Sequence, residues 1–532
     1  MNLILSALSN TGVDMRSNFR LISLLIIALA CVGTGLAQPA PLNGFDDYAS
    51  KAMREWEVPG MAVAIVKDDK IVYAKGYGVR RLGETTPVDE RTLFAIGSSS
   101  KAFTAASLAI LVDEGKIKWD DRVSKYLPDF EVYDPYVTRE LTIRDLLTHR
   151  SGLERGDFLW YGTENSRAEI LRKTRFIKPT WSLRSTFGYQ NLMYLAAGMV
   201  VEKVSGKTWD EFVAERIFTP LGMSVSNTSI KAFKPGGNVA TPHAKIDNKV
   251  GVIPWRDIDN IAPAGSINSN VIDVAQWIRL QLGQGTFDGK KIFGPAAARE
   301  MHMGQTVIRL EGTQALTYPE AHFLNYGMGW FLSDYKGRKL VEHGGAIDGM
   351  RAEVALIPEE KLGVVILTNM NGSIVSMPLL YRIIDSYLGV PQKDYSAETL
   401  AKYKPLLEAG AAAEKKAEAE RVANTKPTLD LGSYVGTYNS ELYGDVKISL
   451  ENEKLKMAYG PAFASQLEHW NYDTFRASFF AAGSSKAPLT FSLNATGKVD
   501  SLVLGLPGMA VYPFKRMADA KPAPAAGSVS RN

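Results

Sequence analysis

Apolar residues fill positions 61–66 and return at 71–75, with Asp68-Asp69-Lys70 between them. Two short apolar runs across a polar turn predict a β-hairpin. The arrangement recurs late in the chain, where 353–357 and 362–367 flank Pro358-Glu359-Glu360-Lys361. Between these hairpins the runs lengthen. Positions 102–112 are almost entirely apolar and stop at Asp113-Glu114-Gly115, which predicts a buried helix ended by glycine. Positions 192–204 repeat that texture up to Gly206, and 379–388 form a third helical run. Strands at both ends with helices between them predict an α/β sheet built from N- and C-terminal strands and carrying a helical insert.

Residues 408–423 are rich in Ala, Glu and Lys without a continuous apolar stripe. They read as a solvated helical spacer, and the linker is placed at 393–428. From 429 to 516 the period falls to two: Val446, Ile448 and Leu450 alternate with polar neighbours, as do Leu455 and Met457, then Phe491 and Leu493. Asn452 and Asn494-Ala495-Thr496-Gly497 supply turns, so this segment predicts a small all-β domain. Residues 517–532, rich in Ala, Pro and Ser, are expected to be a disordered tail.

At the other end, Arg16 and Arg20 precede an apolar run at 21–32, shorter than the roughly 20 residues that a membrane span requires. Gly35-Leu36-Ala37 before Gln38 fits a signal-peptidase site. Residues 1–37 are therefore expected to be a signal peptide, and the mature chain to be exported, periplasmic or secreted, without a membrane span. Met15 is an alternative start. Cys31, the only cysteine, sits in this segment, and lipid attachment there is the second reading, though Ala28-Leu29-Ala30 fits it poorly. Cleavage after Ala37 leaves no cysteine, which removes disulfide and thiolate chemistry. The net charge of +4 is spread without a basic block, so there is no electrostatic case for nucleic acid. The six histidines form no His-x-x-x-His pair, and neither a metal site nor a cofactor is expected.

Three segments carry candidate chemistry. Gly97-Ser98-Ser99-Ser100-Lys101 opens the apolar helix, and residues i and i+3 share a helix face. Burial and the positive helix end would both lower the Lys101 pKa, so that it could take the Ser98 proton. The plainer reading is an N-cap serine followed by a solvated lysine. Tyr189-Gln190-Asn191 precedes the second helix. A tyrosine beside a cationic lysine would have its phenolate favoured and could shuttle protons, and the Asn191 amide could hold both lysine and a substrate carbonyl. A core tyrosine and an N-cap asparagine are the default. Finally, Glu342-His343-Gly344-Gly345-Ala346 follows the strand signal Leu340-Val341. Two glycines there allow a ligand close to the backbone, where the N–H of Ala346, with that of Ser98, could meet an oxyanion. The alternative is a turn with a surface histidine.

Together these segments resemble the penicillin-recognising serine hydrolases: large-type serine β-lactamases, DD-peptidases, D-aminopeptidases and related esterases. The resemblance extends over about residues 45–388, through Pro59-Gly60-Met61-Ala62-Val63-Ala64, Leu146-Leu147-Thr148-His149-Arg150-Ser151-Gly152-Leu153 and Pro263-Ala264-Gly265-Ser266. It implies a β-lactamase-like fold at 42–392, with an antiparallel sheet flanked by helices. It also implies that Ser98 is the nucleophile, Lys101 its base, Tyr189 a second proton carrier, Asn191 a positioner, and His343-Gly344-Gly345 the third element. Gly436-Thr437-Tyr438 and the strand pattern give the C-terminal segment a resemblance to appended lipocalin-like barrels. Where many β-lactamases and DD-peptidases have a lysine that attracts a substrate carboxylate, this chain has His343, neutral at pH 7 unless its pKa is raised. That favours an ester or a D-amino-acid peptide as substrate over a β-lactam. DD-peptidase or β-lactamase action and a non-catalytic peptide receptor are the competing readings, and a homo-oligomer is open. His149 is expected to be structural, and no Gly-x-Ser-x-Gly elbow suggests an α/β-hydrolase.

Overall fold

The computed structural model describes residues 41–246, 248–479, 485–506 and 511–518. The expected signal peptide, Cys31 and residues 519–532 of the expected tail lie outside the described residues. An eight-stranded antiparallel sheet forms the first unit. Its strands are β1 (Gly60–Lys67), β2 (Lys70–Gly78), β3 (Thr306–Ile308), β4 (Leu324–Tyr326), β5 (Phe331–Tyr335), β6 (Arg338–Ile347), β7 (Met350–Ile357) and β8 (Leu362–Thr368), in spatial order β2-β1-β8-β7-β6-β5-β4-β3. Both predicted hairpins are present as β1–β2 and β7–β8. They close on each other through β1–β8, so the N- and C-terminal strands are neighbours in one sheet.

The central strands read as unbroken apolar runs because both faces are covered. In β1, Met61, Val63 and Ile65 pack into one core cluster while Ala62, Ala64 and Val66 pack into another. The first of these cores lies under α1 (Phe45–Glu55) and α5 (Ser376–Leu388), which come from opposite ends of the domain's sequence. The second lies under the insert, with α2 (Ser100–Asp113), α3 (Asn191–Ser205) and α4 (Val271–Leu282). Helices α2 and α3 are apolar all round because each is enclosed by neighbouring helices, while α4 lies against the sheet.

Helix α6 (Tyr395–Ala419) starts earlier than the 408–423 composition implies. Its first turn is docked, with Trp56 Nε1 donating to Ser396 Oγ at 3.0 Å and Tyr395 Oη to Asp385 at 2.6 Å. Then comes a closed eight-stranded barrel: β9 (Gly436–Ser440), β10 (Gly444–Glu451), β11 (Lys454–Tyr459), β12 (Phe463–Asn471), β13 (Thr474–Phe479), β14 (Ser485–Leu493), β15 (Val499–Leu504) and β16 (Phe514–Arg516). Period-two alternation arises because one face of each strand fills the interior; Val446, Ile448, Met457, Phe475 and Phe491 point inward. Closure leaves no free sheet edge.

The β11–β12 hairpin packs on the first domain. Tyr459 Oη donates to the Phe158 carbonyl at 2.7 Å, and the Phe463 ring lies 5.5 Å from Phe158 and 6.0 Å from Tyr161.

Candidate active site

Ser98 lies in a single 3₁₀ turn, Gly97–Ser99, that feeds α2. The turn is pressed against β6, backbone to backbone. A Cβ on Gly97 (φ +50°) would fall 2.5 Å from the Ala346 nitrogen, and one on Gly345 only 1.7 Å from the Ile96 carbonyl and 3.1 Å from the Ser98 nitrogen. Only glycine fits at either position. Ser99 Oγ ties the contact by donating to the His343 carbonyl at 2.8 Å. Gly344 and Gly345 therefore sit within a strand, not in a turn, and the Ser98 and Ala346 nitrogens both lie at the contact between turn and strand.

Lys101 is wholly buried in the first turn of α2, which rules out the solvated-lysine reading. Its Nζ lies 3.1 Å from Ser98 Oγ and donates to Asn191 Oδ1 at 2.7 Å and to the Ala264 carbonyl at 2.8 Å. Burial, reinforced by the Arg155 guanidinium, holds its pKa well below the usual lysine range, with Asp157 opposing. A neutral amine has two N–H groups, and two acceptors are already present. The lone pair is left facing Ser98, whose hydroxyl can donate to it.

Asn191 is oriented by its other end, Nδ2 donating to Asp157 Oδ1 at 2.8 Å. It is the first residue of α3, and Gln190 caps the helix instead, accepting from the Leu192 N–H at 3.1 Å. Asp157 also receives Trp160 Nε1 at 2.9 Å and Arg155 Nε at 2.6 Å. The expectation that Tyr189 would favour its phenolate is corrected. Burial pushes the phenol well above its ordinary range, outweighing its hydrogen bond with Ser98 and the nearby Arg155, so Tyr189 stays protonated. Its ring centroid is 4.8 Å from Lys101 Nζ. The His149 ring lies 4.2 Å from that of Tyr189, and its Nδ1 accepts from the Gln190 N–H at 3.0 Å.

His343 is buried, with Nε2 2.9 Å from Tyr326 Oη and Nδ1 2.6 Å from the Gly344 carbonyl. Burial first, and Lys101 second, push its pKa down to about 3, so the ring is neutral at working pH. A cavity of about 750 Å³ opens beside Ser98, with Tyr189, Asn191, His343, Gly345 and Ala346 on its walls. Sequence reasoning missed Arg155, Asp157 and the Ala264 carbonyl as members of this network; the 154–163 loop that supplies two of them has no periodic signal. Among the described residues no group of three or more His, Cys, Asp or Glu is placed to hold a metal ion.

The beta-lactamase family profile matches residues 45–388, well over half the chain. This chain belongs to the beta-lactamase family. As a family member it is a serine hydrolase with a β-lactamase-like fold and a C-terminal barrel. Residues 420–516 match a domain of unknown function, DUF3471. Relatives include the "unguisins hydrolase" proteins of Aspergillus violaceofuscus (29% identical, covering 87% of this chain and 88% of that protein) and Aspergillus campestris (30%; 77% and 78%). "Penicillin-binding protein 4" of Amycolatopsis lactamdurans is 29% identical, covering 59% of this chain and 82% of that protein. The octameric penicillin-binding protein homologue from Pyrococcus abyssi shares the fold at 22% identity and a TM-score of 0.58, covering 89% of this chain and all of that one.

Two tests of this family member's site follow from its geometry. Arg155→Gln removes a cation that disfavours protonated Lys101 and leaves Asp157, which favours it, less neutralised. Both changes raise the Lys101 pKa, so the acid limb of kcat/KM is expected to move to higher pH; an unmoved limb means that Lys101 is not the group titrating. Tyr459→Phe deletes the hydrogen bond beneath Phe158, next to Asp157. Such a bond contributes about 1 kcal/mol, so kcat/KM is expected to fall by up to about fivefold. Unchanged kinetics would show that the barrel does not position the loop.

Proposed function

We propose that this protein is an exported serine hydrolase that cleaves an ester or amide bond, in a D-amino-acid peptide or small ester, through an acyl-enzyme on Ser98. The observation that carries the reading is the buried Lys101 amine, whose two acceptors leave its lone pair for Ser98. Lys101 accepts the Ser98 proton as Oγ attacks the carbonyl carbon. The amides of Ser98 and Ala346 receive the negative oxygen. Tyr189, protonated and bonded to Ser98, donates its proton to the leaving group, and Lys101 restores that proton. Water then releases the acyl group by the same path in reverse.

Neutral His343 offers no cation to a substrate carboxylate, so β-lactams rank below neutral esters and amides. Two relatives carry the name unguisins hydrolase, which favours turnover over bare binding. Export rests on the pattern of residues 16–37. The octamer named for the Pyrococcus homologue makes a homo-oligomer the assembly to look for. The test is a substrate panel on the chain beginning at Gln38: chromogenic esters, D-aminoacyl anilides and a chromogenic β-lactam. Turnover of the first two above the third is expected. Turnover of the β-lactam alone would favour the β-lactamase reading, and tight binding without turnover the receptor reading.

A further inference from the structure

The cavity beside Ser98 continues past the nucleophile. Strand β5 pairs with β6 only as far as Phe331↔Glu342, so among the described residues the β6 edge from His343 to Ile347 has no strand on that side. The cavity wraps this edge and is lined on the opposite face of the sheet by Tyr318, Glu342, Arg351 and Glu353. Side-chain alternation fixes the two faces. A Cβ on Gly345 would point at Ile96 and Ser98, whereas one on Gly344 would point at Glu353 Oε2, 3.1 Å away. Glu342 is two residues from Gly344, and Glu353 is the direct partner of Gly344 across the strands. Both glutamates therefore lie behind the strand, in a chamber reached past Gly344.

The reaction described above uses none of these groups. Tyr318 Oη donates to Glu342. Burial raises both carboxyls; the Glu342 charge raises Glu353 further, while hydrogen bonds from Glu353, Tyr318 and the Gly344 backbone favour charged Glu342, so Glu353 holds the pair's proton and donates it to Glu342. Its Oε1 accepts no hydrogen bond from any of the described residues, although Glu353 is only 5% exposed. On the same face of β7, two residues earlier, the buried Nε of Arg351 is also without a partner among the described residues. The chamber thus presents one unmatched acceptor and one unmatched donor, with one negative and one positive charge nearby. A substrate ammonium would meet the Arg351 guanidinium, and a substrate carboxylate would meet Glu342.

We propose that this chamber is a second substrate subsite that takes a neutral carboxamide, its N–H donating to Glu353 Oε1 and its carbonyl accepting from Arg351 Nε. The proposal rests on the acyl-transfer reading of Ser98 and names its substrate class: a peptide with an asparagine- or glutamine-type side chain next to the residue that is acylated. A peptide laid along the free β6 edge alternates its side chains between the two faces. With one carbonyl at Ser98, the adjacent side chain turns past Gly344 into the chamber.

The test compares four peptide esters that share one D-alanyl ester bond and differ in the preceding residue: glutamine, glutamate, lysine or methionine, each in L and D form. The glutamine ester is expected to exceed the other three by tenfold or more in kcat/KM in one of the two configurations. Glu353→Met and Arg351→Met are each expected to bring the glutamine-to-methionine ratio to about one, and Glu353→Gln, which keeps both the donor to Glu342 and the free acceptor, to preserve it. Because the ranking is read first on the unaltered protein, it stands even where a variant folds poorly. Equal turnover of the four esters, or a preference for lysine or glutamate, would overturn the subsite while leaving the Ser98 reading intact. No turnover and no adduct on Ser98 with any of them would overturn that reading and the subsite with it.

Discussion

Replacing Lys101 with methionine is expected to lower kcat by about 10²–10⁴-fold, the range of a positioned general base. The side chain is fully buried, so a methionine of similar length fills the same space without exposing a cavity. What it removes is the lone pair 3.1 Å from Ser98 Oγ and the donor to Asn191 Oδ1 and the Ala264 carbonyl. Tyr189→Phe, which keeps the ring over Lys101 and against His149, is expected to cost a similar factor. If the two groups pass one proton between Ser98 and the leaving group, the double variant is little worse than either single one. Steady-state kinetics on one ester, with thermal scans to show that each variant is folded, check this. Losses that add in log kcat would mean two independent roles.

Ser98→Ala is expected to lower turnover by about 10⁴-fold or more, because it deletes the atom that is acylated and not a helper. The fold should survive. Ser98 stands in a 3₁₀ turn whose shape is held by Gly97 against Ala346 and by Ser99 against the His343 carbonyl, neither of which involves the Ser98 hydroxyl. The variant should still bind substrate, since the amides of residues 98 and 346 and the cavity walls remain. Binding by calorimetry with no burst and no turnover is the expected result. Residual turnover within about tenfold of the unaltered protein would move the nucleophile elsewhere.

Much of this was legible in the sequence, for physical reasons that also mark its limits. Both hairpins and helices α2 and α3 were readable because burial forces long apolar runs that polar turns and glycines punctuate. The barrel was readable for the opposite reason: each of its strands has one face inside, so polar and apolar residues alternate along Phe463–Asn471 and Gly444–Glu451. Ser98 and Lys101 could be paired because they lie within one helical turn. The rest of the site depends on contacts that local pattern does not encode. Asp157 reaches Asn191 from a loop that is itself held by Tyr459, about 300 residues away in sequence. The Ala264 carbonyl is a backbone atom with no side-chain signature. Glu342 and Glu353 look like ordinary polar positions flanking strands until the β6–β7 register puts them together. The protonation of Tyr189 was misread because a neighbouring cation is visible in sequence, whereas the larger effect, burial, is not.

The central claim is that Ser98 carries the acyl group. Its most direct test is to label the mature protein with a fluorophosphonate or a slowly released acyl probe, measure its intact mass, and map the modified peptide. The account predicts one adduct per chain on the peptide containing Ser98, absent in Ser98→Ala and greatly slowed in Lys101→Met. An adduct on a peptide lacking Ser98, or undiminished labelling of Ser98→Ala, would contradict it.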